Sequence, residues 1–236
     1  MNRVIAFRTL AALNSWALIV FQFTCLTDFA AGFKFNPLRT VFMTQQINLA
    51  ILMYFTFSVL GSLLNHPKII EKVRNIAGFI FAAGMFIGIG YYLLVYPTLR
   101  ATELTQKSKF VTFYSHWSHA VPMLLVAIEV IILSFEGVRL EWKRDFKLLV
   151  MYGIFYQAWL ILCYQINRKW PYWFQGKMTP YQHFVFNNGC IVVLLMLNLI
   201  GYCVNSWILQ RAEYKVEQYE KKLVASEKET QNVKKL

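Results

Sequence analysis

The chain has 236 residues, 57% hydrophobic and only 15% charged, which excludes a water-soluble surface and reads as a membrane protein. Its net charge of +12 is scattered through short loops and a tail without a basic-aromatic surface, so nucleic acid is excluded as a partner. In chain order, six runs reach the roughly 20 apolar residues that a helix needs to cross a hydrocarbon core. They are Thr9–Thr27, Val41–Leu64, Ile76–Tyr96, Trp117–Phe135, Leu148–Ile166 and Phe184–Leu209. The expected fold is therefore all-α: a polytopic membrane protein with a six-transmembrane-helix bundle over residues 1–209 and a charged helical tail over 210–236.

Arg3 and Arg8 precede the first span, and Phe29–Gly32 offers small residues where a signal sequence would be cleaved; the apolar run is long for that and reads as an uncleaved anchor. The second span opens on Thr44 and crowds Gln45, Gln46 and Asn48 into one turn, amides that bond neighbouring helices or donate to a reacting carbonyl oxygen. In the third span Gly84 and Gly88 form a GxxxG, which serves close packing inside the bundle or a homo-oligomer contact. Two histidines, His116 and His119, open the fourth span three residues apart and so share one helix face. Glu129 lies deeper in the same span, where an exposed carboxylate costs several kcal/mol; it must face the interior or be protonated, with Gln157 or an Asn of the sixth span as expected partner. Before the sixth span, Trp170, Tyr172 and Trp173 read as an interfacial aromatic belt. Cys25, Cys163, Cys190 and Cys203 fall in or beside spans with no CxxC pair, which argues against a disulfide framework or zinc ribbon. In the tail, Leu209, Val216 and Leu223 recur among alternating Glu and Lys, the pattern of a solvated helix.

Alternate crossings put the starts of spans two and four on one side of the membrane, so Thr44 and His119 lie at matching depth. A hydroxyl and an imidazole so placed can act as nucleophile and base. The plainer reading is a threonine bonding its own helix and a histidine marking the interface. A third reading is a metal site built on His116 and His119, which needs a further ligand from His66, His183, Asp28 or Glu103. His66 falls on the opposite side of the membrane, whereas His183 and Asp28 fall on the correct one. No metal and no cofactor is expected.

Three stretches carry a resemblance. Val41-Phe42-Met43-Thr44 leading into Ile47–Phe57, then His116-Trp117-Ser118-His119 with Pro122 and Glu129, and Trp170-Pro171-Tyr172-Trp173-Phe174 resemble segments of the androgen-inducible protein family of multispan membrane hydrolases. The resemblance implies hydrolysis of fatty acid esters of hydroxy fatty acids, with Thr44 and His119 as the catalytic pair. His116, Gln45 and Asn48 are then the candidates for orienting or oxyanion roles. The sequence departs from the family at Ser115, where an Asn is expected, at Ala120, where a Thr is expected, and at Trp173, where a Pro is expected. The partners implied are the bilayer and a lipid ester. A non-enzymatic scaffold or small transporter is the alternative, and a metal-dependent membrane hydrolase the second alternative.

Orientation follows the Lys and Arg bias. The side holding both termini carries sixteen and the other side eight, so both termini are expected in the cytosol, with the endoplasmic reticulum as the expected membrane. Single cysteines placed at Ser108 and Ser226 in sealed vesicles should therefore label from opposite sides; protection of both from the same side would overturn this orientation.

Overall fold

The computed structural model describes the backbone of residues 3–25, 42–97, 109–172 and 174–233, and the side chains of these except 23–25, 109–112 and 223–233. Among the described residues there are seven α-helices and no strand. They are α1 (Arg3–Cys25), α2 (Met43–Leu63), α3 (Pro67–Arg74), α4 (Ala77–Gly90, continued by a π-helical turn Tyr91–Val95), α5 (Lys109–Phe135), α6 (Trp142–Asn167) and α7 (Pro180–Val233). All but α3 are long and apolar enough to cross a membrane, and each falls on one of the six expected spans. The chain is a multi-pass membrane protein.

Several helices start earlier than the apolar runs, α5 at Lys109 and α6 at Trp142 among them, and three differences from the sequence expectation have a clear physical reason. Helix α1 starts at Arg3 rather than Thr9, because Arg8 has a buried partner and so belongs to the bundle instead of the loop. Helix α7 runs unbroken from the sixth span to Val233, since no Gly or Pro interrupts the charged segment that follows. Helix α3 was not expected; Pro67 at its first turn and Lys72 and Arg74 in its last turn suit the two ends of a short helix.

Helix α4 sits at the centre, touching α2, α5, α6 and α7. Small residues permit this, because Ala82, Ala83, Gly84 and Gly88 on its buried surface let neighbouring backbones approach closely. A Cβ at Gly84 would lie 2.8 Å from Val126 of α5, so the GxxxG face is occupied by the chain's own helix. At the other end of α4 the fully buried carboxylate of Asp145 lies directly over Gly78, where a Cβ would overlap it. This sets a negative charge against the positive end of the helix dipole. The outward faces are apolar: Leu10, Leu93, Met151 and Phe155 are each more than half exposed, as lipid contact requires.

With no water in a bilayer core, polar groups must pair internally. Glu129 does so, though with a partner other than Gln157 or an Asn. Arg8 Nε donates to its two oxygens at 2.9 and 3.2 Å, and Tyr54 Oη of α2 donates at 3.0 Å. The same guanidinium donates to Glu136 one heptad further along α5, and Arg74 of α3 joins at 3.1 Å. Four helices thereby meet on one ionic cluster. The asparagines of α7 are engaged elsewhere: Asn205 bonds Ser134 and both Val138 O and the Leu140 N–H in the α5–α6 turn, and Asn198 reaches Trp142 O.

Removal of one partner from a buried ion pair leaves the other uncompensated, typically at about 3–5 kcal/mol. Glu129→Gln is accordingly expected to lower the unfolding temperature in detergent, and the Arg8→Met/Glu129→Met double variant to lose less than the sum of its single changes. A Gln variant as stable as wild type would remove the cluster from the account of folding.

Candidate functional site

Helices α2 and α5 present their N-terminal portions at the same end of the bundle, where the C-terminal π turn of α4 and the α6–α7 loop also lie. Thr44, second residue of α2, places Oγ1 3.1 Å from Nε2 of His119. The register of this pair has a local cause. Pro122 has no N–H, so the Ser118 carbonyl four residues before it lacks its helical donor. Asn48 Nδ2 supplies one at 3.1 Å. Asn48 and Thr44 are four apart on one face of α2, and Ser118 and His119 are adjacent on α5, so satisfying the orphaned carbonyl brings the threonine to the imidazole.

His119 is held on three sides. Its Nδ1 lies 2.6 Å from the Ser115 carbonyl, an acceptor only, so Nδ1 carries the hydrogen and the Nε2 lone pair faces Thr44. Ser118 Oγ bonds the same carbonyl at 3.1 Å and lies 3.0 Å from Nδ1. Tyr91, first residue of the π turn, stacks on the ring with centroids 4.0 Å apart at 17°. The widened turn thus delivers an aromatic face to the imidazole, and π turns are frequent at functional sites. One turn before Tyr91 on the same face of α4, the Cβ position of Gly88 would lie 2.8 Å from Met123 Cβ and 3.1 Å from the His119 carbonyl, so only glycine allows this approach.

The other expected site residues are placed differently from one another. His116 shares the α5 face with His119 but turns to Tyr92, whose hydroxyl lies 3.1 Å from its Nδ1, and it does not line the cavity beside Thr44. Asn48 is buried and also absent from the cavity wall, with its amide given to Ser118. Gln45 lines the cavity. Glu129 bonds Arg8 and Tyr54, and it is the Ser115 carbonyl that orients the imidazole. As for metal ligands, His183 lies tilted at 30° against Trp170 with centroids 4.3 Å apart, and among the described residues no three His, Cys, Asp or Glu side chains converge. Asp28 and Glu103 lie outside the described residues.

The pair opens on a cavity of about 340 Å³. Phe86 and Leu94 from α4, Leu160 from α6 and Phe186 and Ile191 from α7 contribute apolar walls, and among the described residues no Lys, Arg, Asp or Glu lines it. Two tyrosines that sequence reasoning missed complete the mouth: Tyr156 of α6 and Tyr172 of the following loop both accept the Met43 N–H, at 3.1 and 3.3 Å. Tyr172 therefore reaches into the site, which an interfacial belt would not require. The sequence signal for it was the aromatic loop itself; Tyr156 is one of three tyrosines in its span, with Tyr152 and Tyr164, and nothing local singles it out.

This arrangement defines a multi-pass membrane protein with a half-buried hydroxyl–imidazole pair at the head of a neutral, largely apolar cavity. The model of the FAR-17a/AIG1-like protein family matches residues 4–206, most of the chain, and the chain belongs to that family. No curated protein and no solved structure matches it.

The Asn48 contact can be tested apart from any reaction. Asn48→Leu strands a buried carbonyl, a cost of about 1–3 kcal/mol. Adding Pro122→Ala restores an N–H to that carbonyl within α5, so the double variant is expected to recover stability relative to Asn48→Leu alone, as measured by thermal unfolding in detergent. A second change that adds to the loss instead would show that the carbonyl is not what Asn48 satisfies.

Proposed function

We propose that the protein is a membrane-embedded lipid ester hydrolase in which Thr44 is the nucleophile and His119 the general base, acting on fatty acid esters of hydroxy fatty acids. The observation that carries this reading is the 3.1 Å contact between Thr44 Oγ1 and a His119 Nε2 whose lone pair is aimed by the Nδ1 bond to Ser115. Threonine is a weak nucleophile at its free pKa, and an adjacent, oriented base is what activates it.

The chemistry runs in two halves. Thr44 Oγ bonds to the ester carbon while its proton passes to His119 Nε2; the tetrahedral intermediate then expels the alkoxide, which takes that proton and leaves as the alcohol. Water next attacks the acyl-threonine with its proton passing to Nε2. Collapse returns the proton to Thr44 Oγ and releases the fatty acid. Membership of the FAR-17a/AIG1-like family is compatible with such hydrolysis.

The cavity supports a lipid substrate. Its apolar walls suit acyl chains, and the absence of cations among its described lining residues means that a free carboxylate on the substrate stays outside at the water interface, where it remains solvated. On this reading the protein resides in the endoplasmic reticulum with both termini cytosolic and Thr44 and His119 near the lumenal interface.

Wild-type protein is expected to react covalently with a fluorophosphonate at Thr44, and a competing acyl ester to suppress the labelling. Thr44→Ser should keep the reaction, Thr44→Ala should lose it while still folding, and His119→Ala should slow ester turnover by about 10²–10⁴-fold. A folded wild-type protein that neither labels nor cleaves acyl esters would replace the hydrolase with a non-catalytic scaffold.

A further inference from the structure

Attack on an ester carbonyl moves an electron pair onto its oxygen, and a site without a donor for that oxygen stabilises the intermediate poorly. Asn48 has given its amide to Ser118 and does not line the cavity. His119 is committed to Thr44 and Ser115. The donor must therefore come from elsewhere on the wall, and the two tyrosines at the start of α2 meet the requirement.

Tyr156 and Tyr172 arrive from different elements, one from α6 and one from the α6–α7 loop, yet both hydroxyl oxygens accept the N–H of Met43, the residue before Thr44. They are also hydrogen-bonded to each other. Each phenol owns one hydrogen. In the bond between them Tyr156 donates and Tyr172 accepts, and the Met43 hydrogen is supplied by the backbone, so the Tyr172 hydrogen is left for a further acceptor. Both residues line the cavity that Thr44 opens on. Among the described residues Tyr172 makes no other side-chain bond that would take its hydrogen: besides the contacts to Met43 and Tyr156 it makes ring contacts with Phe42 and Phe174. The N-terminus of the 21-residue α2 adds the positive end of its dipole at the same place.

We infer that the hydroxyl of Tyr172, aligned by Tyr156 and the Met43 N–H, donates the hydrogen bond that stabilises the oxyanion formed when Thr44 attacks. As the Thr44 Oγ–carbon bond forms and the Thr44 proton moves to His119 Nε2, the carbonyl pair moves to oxygen and Tyr172 Oη–H bonds it without giving up its proton. On collapse the pair returns to re-form C=O and the alcohol departs. Burial favours the neutral phenol, holding Tyr172 above the ordinary tyrosine value despite the opposing bonds to Tyr156 and Met43, which suits a group that must keep its hydrogen. The α6–α7 loop thereby becomes part of the catalytic machinery.

This inference rests on the hydrolase reading, and the test separates the two. Detergent-purified wild type, Tyr172→Phe, Tyr156→Phe and Gln45→Met are compared on a p-nitrophenyl acyl ester, with thermal unfolding as the folding control. Tyr172→Phe should lower kcat by about 10²–10³-fold, the usual loss of one oxyanion donor, with KM nearly unchanged. Tyr156→Phe should lower it less. Should Tyr172→Phe fail to fold, fluorotyrosines at position 172 keep the shape and vary the acidity of the phenol; kcat is then expected to rise with acidity, which a purely structural tie to Met43 would not produce. Active wild type with an unimpaired Tyr172→Phe, a loss confined to Tyr156→Phe or Gln45→Met, or a kcat indifferent to phenol acidity would each overturn the assignment. Inactive wild type would instead bring down the hydrolase reading and this inference with it.

Discussion

One missing hydrogen organises the end of the bundle where Thr44 meets His119. Because Pro122 cannot donate to the Ser118 carbonyl, that oxygen is left open inside a helix surrounded by apolar side chains, where an unsatisfied acceptor is costly. Asn48 fills the vacancy from α2. In doing so it fixes how far α2 slides along α5 and which faces they turn to each other. Thr44 lies one turn before Asn48, and His119 is the neighbour of Ser118, so the threonine–histidine contact is set by the same register.

The opposite part of the bundle is governed by charge rather than by neutral hydrogen bonds. Arg8 joins Glu129 and Glu136 on α5, with Tyr54 and Arg74 bringing in α2 and α3. A guanidinium can meet two carboxylates at once because its planar fork presents several donors in fixed directions. Satisfying buried charges in this way ties the helices together at a distance from the cavity. The described lining of the cavity can then remain free of Lys, Arg, Asp and Glu, with a neutral imidazole at its head.

Between these two regions runs α4, whose small residues make it the central helix. Its packing and its chemistry are linked through one turn. Gly88 admits the backbone of His119 on α5, and immediately afterwards the π turn at Tyr91 sets an aromatic ring against the imidazole. The imidazole is thus held from behind by α4, from its own helix by Ser115, and from the front by Thr44. Such confinement limits its rotation, as the proposed role of proton carrier in a fixed reaction geometry requires.

Much of this was readable from the chain alone. Apolar run length determined the all-α, six-span architecture, because a bilayer tolerates only segments that satisfy their own backbone. Alternation of crossings set Thr44 and His119 at the same depth, and the GxxxG marked a helix able to pack closely. Other features depended on neighbours far apart in sequence. Arg8 looked like a flanking loop charge, but its partner lies 121 residues away, and nothing local announces the pair. Asn48 looked like a donor for a reacting oxygen until the carbonyl exposed by Pro122 claimed it. Tyr156 and Tyr172 resembled ordinary membrane aromatics, since only the packing of α6 and its loop against the first turn of α2 brings their hydroxyls to one N–H. Hydrophobic periodicity and length act within a segment and so are legible in it; which polar group meets which is decided by the rotation and slide of whole helices, and those exist only in the folded bundle.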